Sequence, residues 1–205
     1  MEESNDRLIV VLGMHRSGTS AITRALTVLG VDLGGRLLSA ADGDDGDNGT
    51  GFWEDIDFNA LNIELLRAID KDWFYTSPVT QIDLEILNKQ GYFLKAETLV
   101  KEKLKDRTLL GVKDPRMAKL LPFWKEVFAR SDINVNYVLA IRQPLSVVKS
   151  IENRGWEGRE RIFLLWLNYV IQSLSLTDST SRVIVDYDHL VRDSANELER
   201  MAHSL

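Results

Sequence analysis

The segment Leu8 to Leu29, LIVVLGMHRSGTSAITRALTVL, constrains the fold of this chain more than any other. Leu8 to Leu12 is a short apolar, β-branched run without alternation. Such a run fits a strand covered on both faces, as in the middle of a parallel sheet. Gly13 to Gly18 interrupts it, and from Thr19 the apolar residues Ile22, Ala25, Leu26 and Leu29 return at helical spacing until Gly30. A strand that runs through a glycine-bounded loop directly into a helix aims backbone N–H groups and the positive end of the helix dipole at one point. That point is a site for a polyanion.

The rest of the chain repeats the unit. Leu109 to Val112 reads as a second buried strand, ended by Lys113-Asp114-Pro115-Arg116, where the proline stops the strand and can open a helix. Val135 to Ile141 is a third strand, followed by Arg142-Gln143-Pro144 and a helix with Val147, Val148 and Ile151 on it. Ser150 lies on that helix, eight residues after Arg142. Arg182 to Asp186 reads as a fourth strand. Apolar spacing predicts helices over 57–69, 159–174 and 189–204, while 83–105, which contains Gly91, is either one kinked helix or two short ones. The pattern predicts an α/β fold of the P-loop type: three layers, α/β/α, around a central parallel sheet of about four to five strands. It fills a single domain over 1–205, whose last helix runs to Leu205 without a cap, as in a domain cut from a longer protein. Right-handed crossovers bring Arg16, Lys113 with Arg116, and Arg142 to one rim of the sheet.

Composition narrows the function classes. A net charge of −6, from 25 basic and 31 acidic residues, argues against a nucleic-acid partner, so any anion site must be assembled locally by folding. With no cysteine there is no disulfide framework, thiol nucleophile or cysteine-based zinc site. The polar start MEESNDR and the lack of an apolar run of membrane-spanning length predict a cytoplasmic protein with no membrane segment. Asp42 to Gly51, DGDDGDNGTG, reads as a solvated loop; a calcium-loop frame fails there, because counting back from Glu54 puts Gly43 at the first ligand position.

The first loop departs from the nucleoside-triphosphate pattern G-x-x-x-x-G-K-[ST]: Gly13, Gly18 and Ser20 fit, but Thr19 stands where the lysine belongs and the cation is Arg16. Without a lysine for the β and γ phosphates, Mg²⁺-dependent ATP chemistry is disfavoured. The segment His15-Arg16-Ser17-Gly18-Thr19-Ser20 instead resembles the 5′-phosphosulfate loop of sulfotransferases, which use 3′-phosphoadenosine 5′-phosphosulfate (PAPS). Arg142 and Ser150 resemble the family's strand-ending arginine and the serine eight residues on, which hold the 3′-phosphate. Lys113-Asp114-Pro115 is similar to a segment of tyrosylprotein sulfotransferases whose lysine lies by the transferred sulfonate. Gly51 to Glu54 resembles the Gly-Tyr/Phe/Trp-Glu segment of bacterial sulfotransferase-like proteins, and a glutamate in this part of the chain is the acceptor base in several branches. Val185 to Leu190 resembles the Tyr-Glu-Asp-Leu stretch before the family's closing helix.

The resemblance implies PAPS as donor, adenosine 3′,5′-bisphosphate as product, no metal, and a small-molecule or glycan acceptor bearing a hydroxyl or amine. It implies His15, Arg16, Ser17, Gly18, Thr19, Ser20, Arg142 and Ser150 as the cofactor site, with Arg16, Lys113 and Glu54 in the chemistry. Spacing alone leaves open that Glu54 starts or caps the helix after it, that Lys113 and Arg116 lie in a surface turn, and that His15 only packs the loop. Two features of the family's cytosolic steroid and phenol branch are missing: no histidine stands shortly after Lys113, and no late basic-glycine motif is visible before Leu205. A P-loop small-molecule kinase, which needs a lysine at position 19 and Mg²⁺, and a non-catalytic nucleotide-binding module are the other readings.

Overall fold

The computed structural model describes residues 7–39 and 51–205; the N-terminal polar residues 1–6 and the acidic stretch 42–50 lie outside them. Strands β1 (Arg7–Leu12), β2 (Leu109–Lys113), β3 (Asn134–Ile141) and β4 (Arg182–Asp186) form one parallel sheet in the order β2-β1-β3-β4. The register pairs Val11 with Lys113 and Leu12 with Leu139, so the chain leaves all of these strands at one edge.

Side chains alternate along a strand, so the central strand feeds two cores. Leu8, Val10 and Leu12 enter one apolar cluster, and Ile9 and Val11 the other. The first is covered by α2 (Ile56–Ala68), α3 (Gln81–Lys89), α4 (Tyr92–Leu104), α5 (Arg116–Lys119), α6 (Leu121–Arg130), α7 (Pro144–Glu152) and α8 (Arg159–Leu176). The second is covered by α1 (Thr19–Val28), α9 (Tyr187–Arg192) and α10 (Ser194–Ser204). The result is the expected three-layer α/β/α arrangement.

Topology creates the crevice. After β1 the chain turns to α1 on one face of the sheet, and after β3 it turns to α7 on the other. The carboxyl ends of these neighbouring strands therefore diverge, which is where open parallel sheets bind ligands.

Several local expectations resolve or change. Gly91, at φ +80°, separates α3 from α4, so 83–105 is two helices. The single helix expected over 189–204 breaks at Asp193, whose side chain accepts the Asn196 N–H and starts α10 as a cap residue. Asp186 caps α9 in the same way, accepting from Asp188 N at 2.8 Å and His189 N at 3.1 Å. Lys103 belongs to the charge run Lys101-Glu102-Lys103, yet it is not left to solvent. It instead reaches Asp55 at 2.5 Å and Asp57 at 2.7 Å and ties α4 to the start of α2.

Candidate active site

The loop after β1 is shaped by left-handed backbone at two residues. Arg16 has φ +70° and Gly18 has φ +83°, and a Cβ on Gly18 would lie 2.0 Å from the Tyr187 ring. Only glycine fits there. Ser17 N–H closes the turn on Met14 O at 3.1 Å, and α1 then starts at Thr19 with no side-chain cap. The N–H groups of such a first turn have no intrahelical partners. Thr19 is buried, its methyl 3.0 Å from where a Gly13 Cβ would stand, so position 19 packs the loop and offers no cation.

Across the crevice, Arg142 follows the end of β3. Its Nη1 donates to the Arg16 carbonyl at 3.0 Å, and Arg16 Nε donates to Ser150 Oγ at 2.9 Å. Two guanidinium groups therefore share one corner. Burial, and then Arg142 beside it, pull the Arg16 pKa below its usual value. The Arg142 guanidinium also sits 4.7 Å from the Tyr187 ring centre, while its Nε is buried with no hydrogen-bond partner among the described residues. Arg16, Gly18, Thr19, Ser20, Arg142 and Tyr187 line a cavity of about 150 Å³ at this point. Like charges held together beside an orphaned buried donor are what an anion would relieve.

A second cluster lies on the β2 side of the same loop. Lys113, the last residue of β2, is only 2% exposed; its Nζ donates to Glu54 Oε1 at 2.8 Å and Ser20 Oγ at 3.1 Å. Ser20 Oγ in turn donates to Phe52 O at 3.1 Å. Asn59 Nδ2 donates to the other Glu54 oxygen, Oε2, at 2.7 Å. Arg116 Nη1 stands 3.9 Å from Glu54 and 3.1 Å from Asp114 Oδ1. Asp114 Oδ2 accepts from Asn62 at 3.0 Å, and Asn62 accepts from Trp124 Nε1 at 2.8 Å, so the chain of donors continues into the core. Burial holds the Glu54 carboxyl above the usual carboxylate range; Lys113 pulls it down and Asp114 pushes it up.

Glu54 does not cap the helix. That role falls to Asp55, which accepts from Asp57 N at 2.9 Å and Phe58 N at 3.2 Å. The preceding Trp53 is left-handed, at φ +57°, and Leu38 N–H bonds Glu54 O at 2.8 Å while Ile56 N–H bonds Arg36 O at 2.9 Å. The segment is thus pinned on both sides with the Glu54 side chain turned inward. A non-glycine residue in that conformation costs about 1–2 kcal/mol, which the pinning offsets.

His15 packs its ring 4.3 Å from Trp73, and its Nε2 is buried with no hydrogen-bond partner among the described residues. Burial, then Arg116, Lys113, Arg154 and Arg16, hold its pKa well below the usual value, so the ring is neutral. Trp73 contacts Phe74 at 3.7 Å, and Phe74 stacks on Trp156 at 4.1 Å, forming an aromatic wall that starts at the loop.

The fold thus brings the sequence-predicted residues Arg16, Ser17, Gly18, Thr19, Ser20, Glu54, Lys113, Arg142 and Ser150 to one edge of the sheet, with His15 behind the loop. Sequence reasoning missed Asn59 and the Asp114-Asn62-Trp124 chain, and it placed Tyr187 in the stretch before the closing helix without giving it a part in the site. Tyr187 carries a usable signal, since it follows a strand end and its cap residue. Asn59 carries none beyond its place in the first turn of a helix.

The structure is similar to a sulfotransferase domain from the curacin biosynthetic pathway, with a TM-score of 0.55 and 16% identity over 97% of this chain and 73% of that one. It is also similar to the sulfotransferase domain of the Synechococcus PCC 7002 olefin synthase, with a TM-score of 0.53 and 16% identity over 99% and 74% of the two chains. No family model and no curated protein matches the sequence. At this identity the likeness concerns architecture: the chain has the α/β fold of sulfotransferase domains.

Proposed function

We propose that this protein is a sulfotransferase that moves the sulfonate of PAPS to an acceptor hydroxyl. The observation that carries it is the convergence of Arg16, Arg142 and Ser150 around an orphaned buried donor, next to a buried Glu54 within 2.8 Å of Lys113. The donor set fits PAPS in kind. Arg142 and Ser150 would hold the 3′-phosphate, and Arg16 with the N–H groups of Ser17 to Ser20 would hold the 5′-phosphosulfate, with His15 backing the loop.

PAPS supplies a sulfonate on a phosphate leaving group. In the transfer the acceptor oxygen gains the bond to sulfur, the bond from sulfur to the 5′-phosphate oxygen breaks, and that electron pair leaves with adenosine 3′,5′-bisphosphate. The protein's tasks are to stabilise charge on the departing oxygen and to take the acceptor's proton. Arg16 and Lys113 serve the first, and Glu54 the second, its basicity raised by burial. Protein cations supply the positive charge, so no step requires a metal.

The acceptor, a small molecule or glycan, would approach along the wall of Trp73, Phe74 and Trp156. The kinase reading lacks support at position 19, where the buried Thr19 replaces the phosphate-binding lysine. Incubation with ³⁵S-labelled PAPS and a panel of hydroxyl acceptors tests the proposal. Transfer in the presence of a metal chelator, lost in Glu54→Gln, is expected. Mg²⁺-dependent turnover of ATP with no sulfonate transfer would overturn it.

A further inference from the structure

Glu54 presents a difficulty for a base. Burial makes Glu54 a better base than an ordinary carboxylate, but the lysine ammonium bonded to it at 2.8 Å works against that gain, and the same ammonium lies 3.1 Å from Ser20 Oγ, in the first turn of the anion loop. The two bonds on Glu54 also differ in kind. Asn59 is neutral and holds Oε2 at 2.7 Å from within a helix whose start is locked by Asp55 and Lys103. Lys113 is a cation on the last residue of a strand, its Nζ shared between Glu54 Oε1 and Ser20 Oγ.

We propose that these donors have separate jobs: Asn59 is a positioning residue that fixes the Glu54 carboxylate, and Lys113 masks that carboxylate until an anion at Ser20 draws the ammonium away. Lys113 keeps its proton throughout. What changes is its partner, from Glu54 Oε1 to the 5′-phosphosulfate; Glu54 keeps the Asn59 hydrogen bond, with Arg116 at 3.9 Å and the Asp114 carboxylate still facing it, and is a stronger base without the ammonium. The base is therefore unmasked only when the donor is in place, which imposes an order, donor before acceptor. This deepens the function proposed above and rests on it.

Linkage makes the exchange measurable without turnover, because an anion that must take Lys113 from Glu54 binds less tightly than one that need not. Glu54→Gln keeps the shape and releases the ammonium, so adenosine 3′,5′-bisphosphate should bind it about tenfold more tightly than wild type, the loss of one charge-assisted competitor. The gain should vanish when Lys113→Met, which fills the buried volume, is added. A crystal structure of the wild-type complex should show Nζ moved off Oε1. Unchanged affinity in Glu54→Gln, an equal gain with and without Lys113, or a complex in which the 2.8 Å contact persists would each overturn the exchange.

Asn59→Ala should lower kcat, leave KM for PAPS unchanged and move the acid limb of the rate profile to higher pH. The sign follows because a donor to the ionised carboxylate favours ionisation, and its loss raises the pKa. A fall in kcat with the limb in place overturns the positioning role. The two levels separate cleanly: a wild-type protein that does not prefer bisphosphate over AMP refutes the proposed function, whereas a clear preference that Glu54→Gln leaves unaltered refutes only the exchange.

Discussion

Replacing Arg142 by alanine separates two jobs that the crevice gives it. One is a contact to whatever anion enters the 150 Å³ cavity it lines; the other is the 3.0 Å bond from Nη1 to the Arg16 carbonyl, which braces the left-handed loop. A charge-assisted bond to a phosphate contributes about 1.5–3 kcal/mol, and a bond to a neutral carbonyl about 0.5–1.5 kcal/mol. Adenosine 3′,5′-bisphosphate should lose both, and AMP, which lacks the 3′-phosphate, only the second. The loop's share cancels in the ratio of the two affinities, so bisphosphate preference over AMP should fall by about 10- to 150-fold. Isothermal titration of wild type and Arg142→Ala with both ligands, at one ionic strength because exposed charges are screened by salt, reads this directly. If both ligands weaken by the same factor, Arg142 acts only through the loop and the 3′-phosphate assignment fails.

Gly18 and Gly30 provide a matched pair, both at φ +83°, but a Cβ meets the Tyr187 ring at 2.0 Å on the first and nothing within 4 Å on the second. Alanine should cost about 1–2 kcal/mol of stability at Gly30 through the backbone alone, and more at Gly18, where bisphosphate binding should also collapse; equal melting shifts and intact binding would contradict the packing of Tyr187 on the loop. His15 stays neutral in the fold while it charges in the unfolded chain below about pH 6.5. Its depressed pKa therefore costs the fold nothing above that pH and destabilises it as pH falls below, by up to about 1.4 kcal/mol per unit. Urea unfolding at pH 7 and pH 5 should show a smaller loss in His15→Asn than in wild type, and identical losses would contradict it.

The fold was legible wherever one residue type has one physical use. The unbroken apolar run of β1, the glycine of the loop and the prolines after β2 and β3 each leave few alternatives, and their strands and turns stand within a residue or two of expectation. The cations were legible for the same reason: a charged residue at the carboxyl end of a buried strand has one rim to occupy. What the sequence hides is partnership across distance. Nothing along the chain marks Asn59 as Glu54's second donor, or separates the capping role of Asp55 from the inward turn of Glu54 beside it. Asp193 splits the last helix because its side chain is a better cap than its neighbours' helical pattern suggests. Lys103 reads as solvated charge until folding sets it against Asp55.

The most direct test of a site for two anionic groups is titration of the wild-type protein with adenosine 3′,5′-bisphosphate and with AMP under chelation of divalent metals. Binding of the bisphosphate at least about tenfold tighter than AMP is expected from a second charge-assisted grip. Equal dissociation constants would contradict the assignment of Arg142 and Ser150 to a 3′-phosphate.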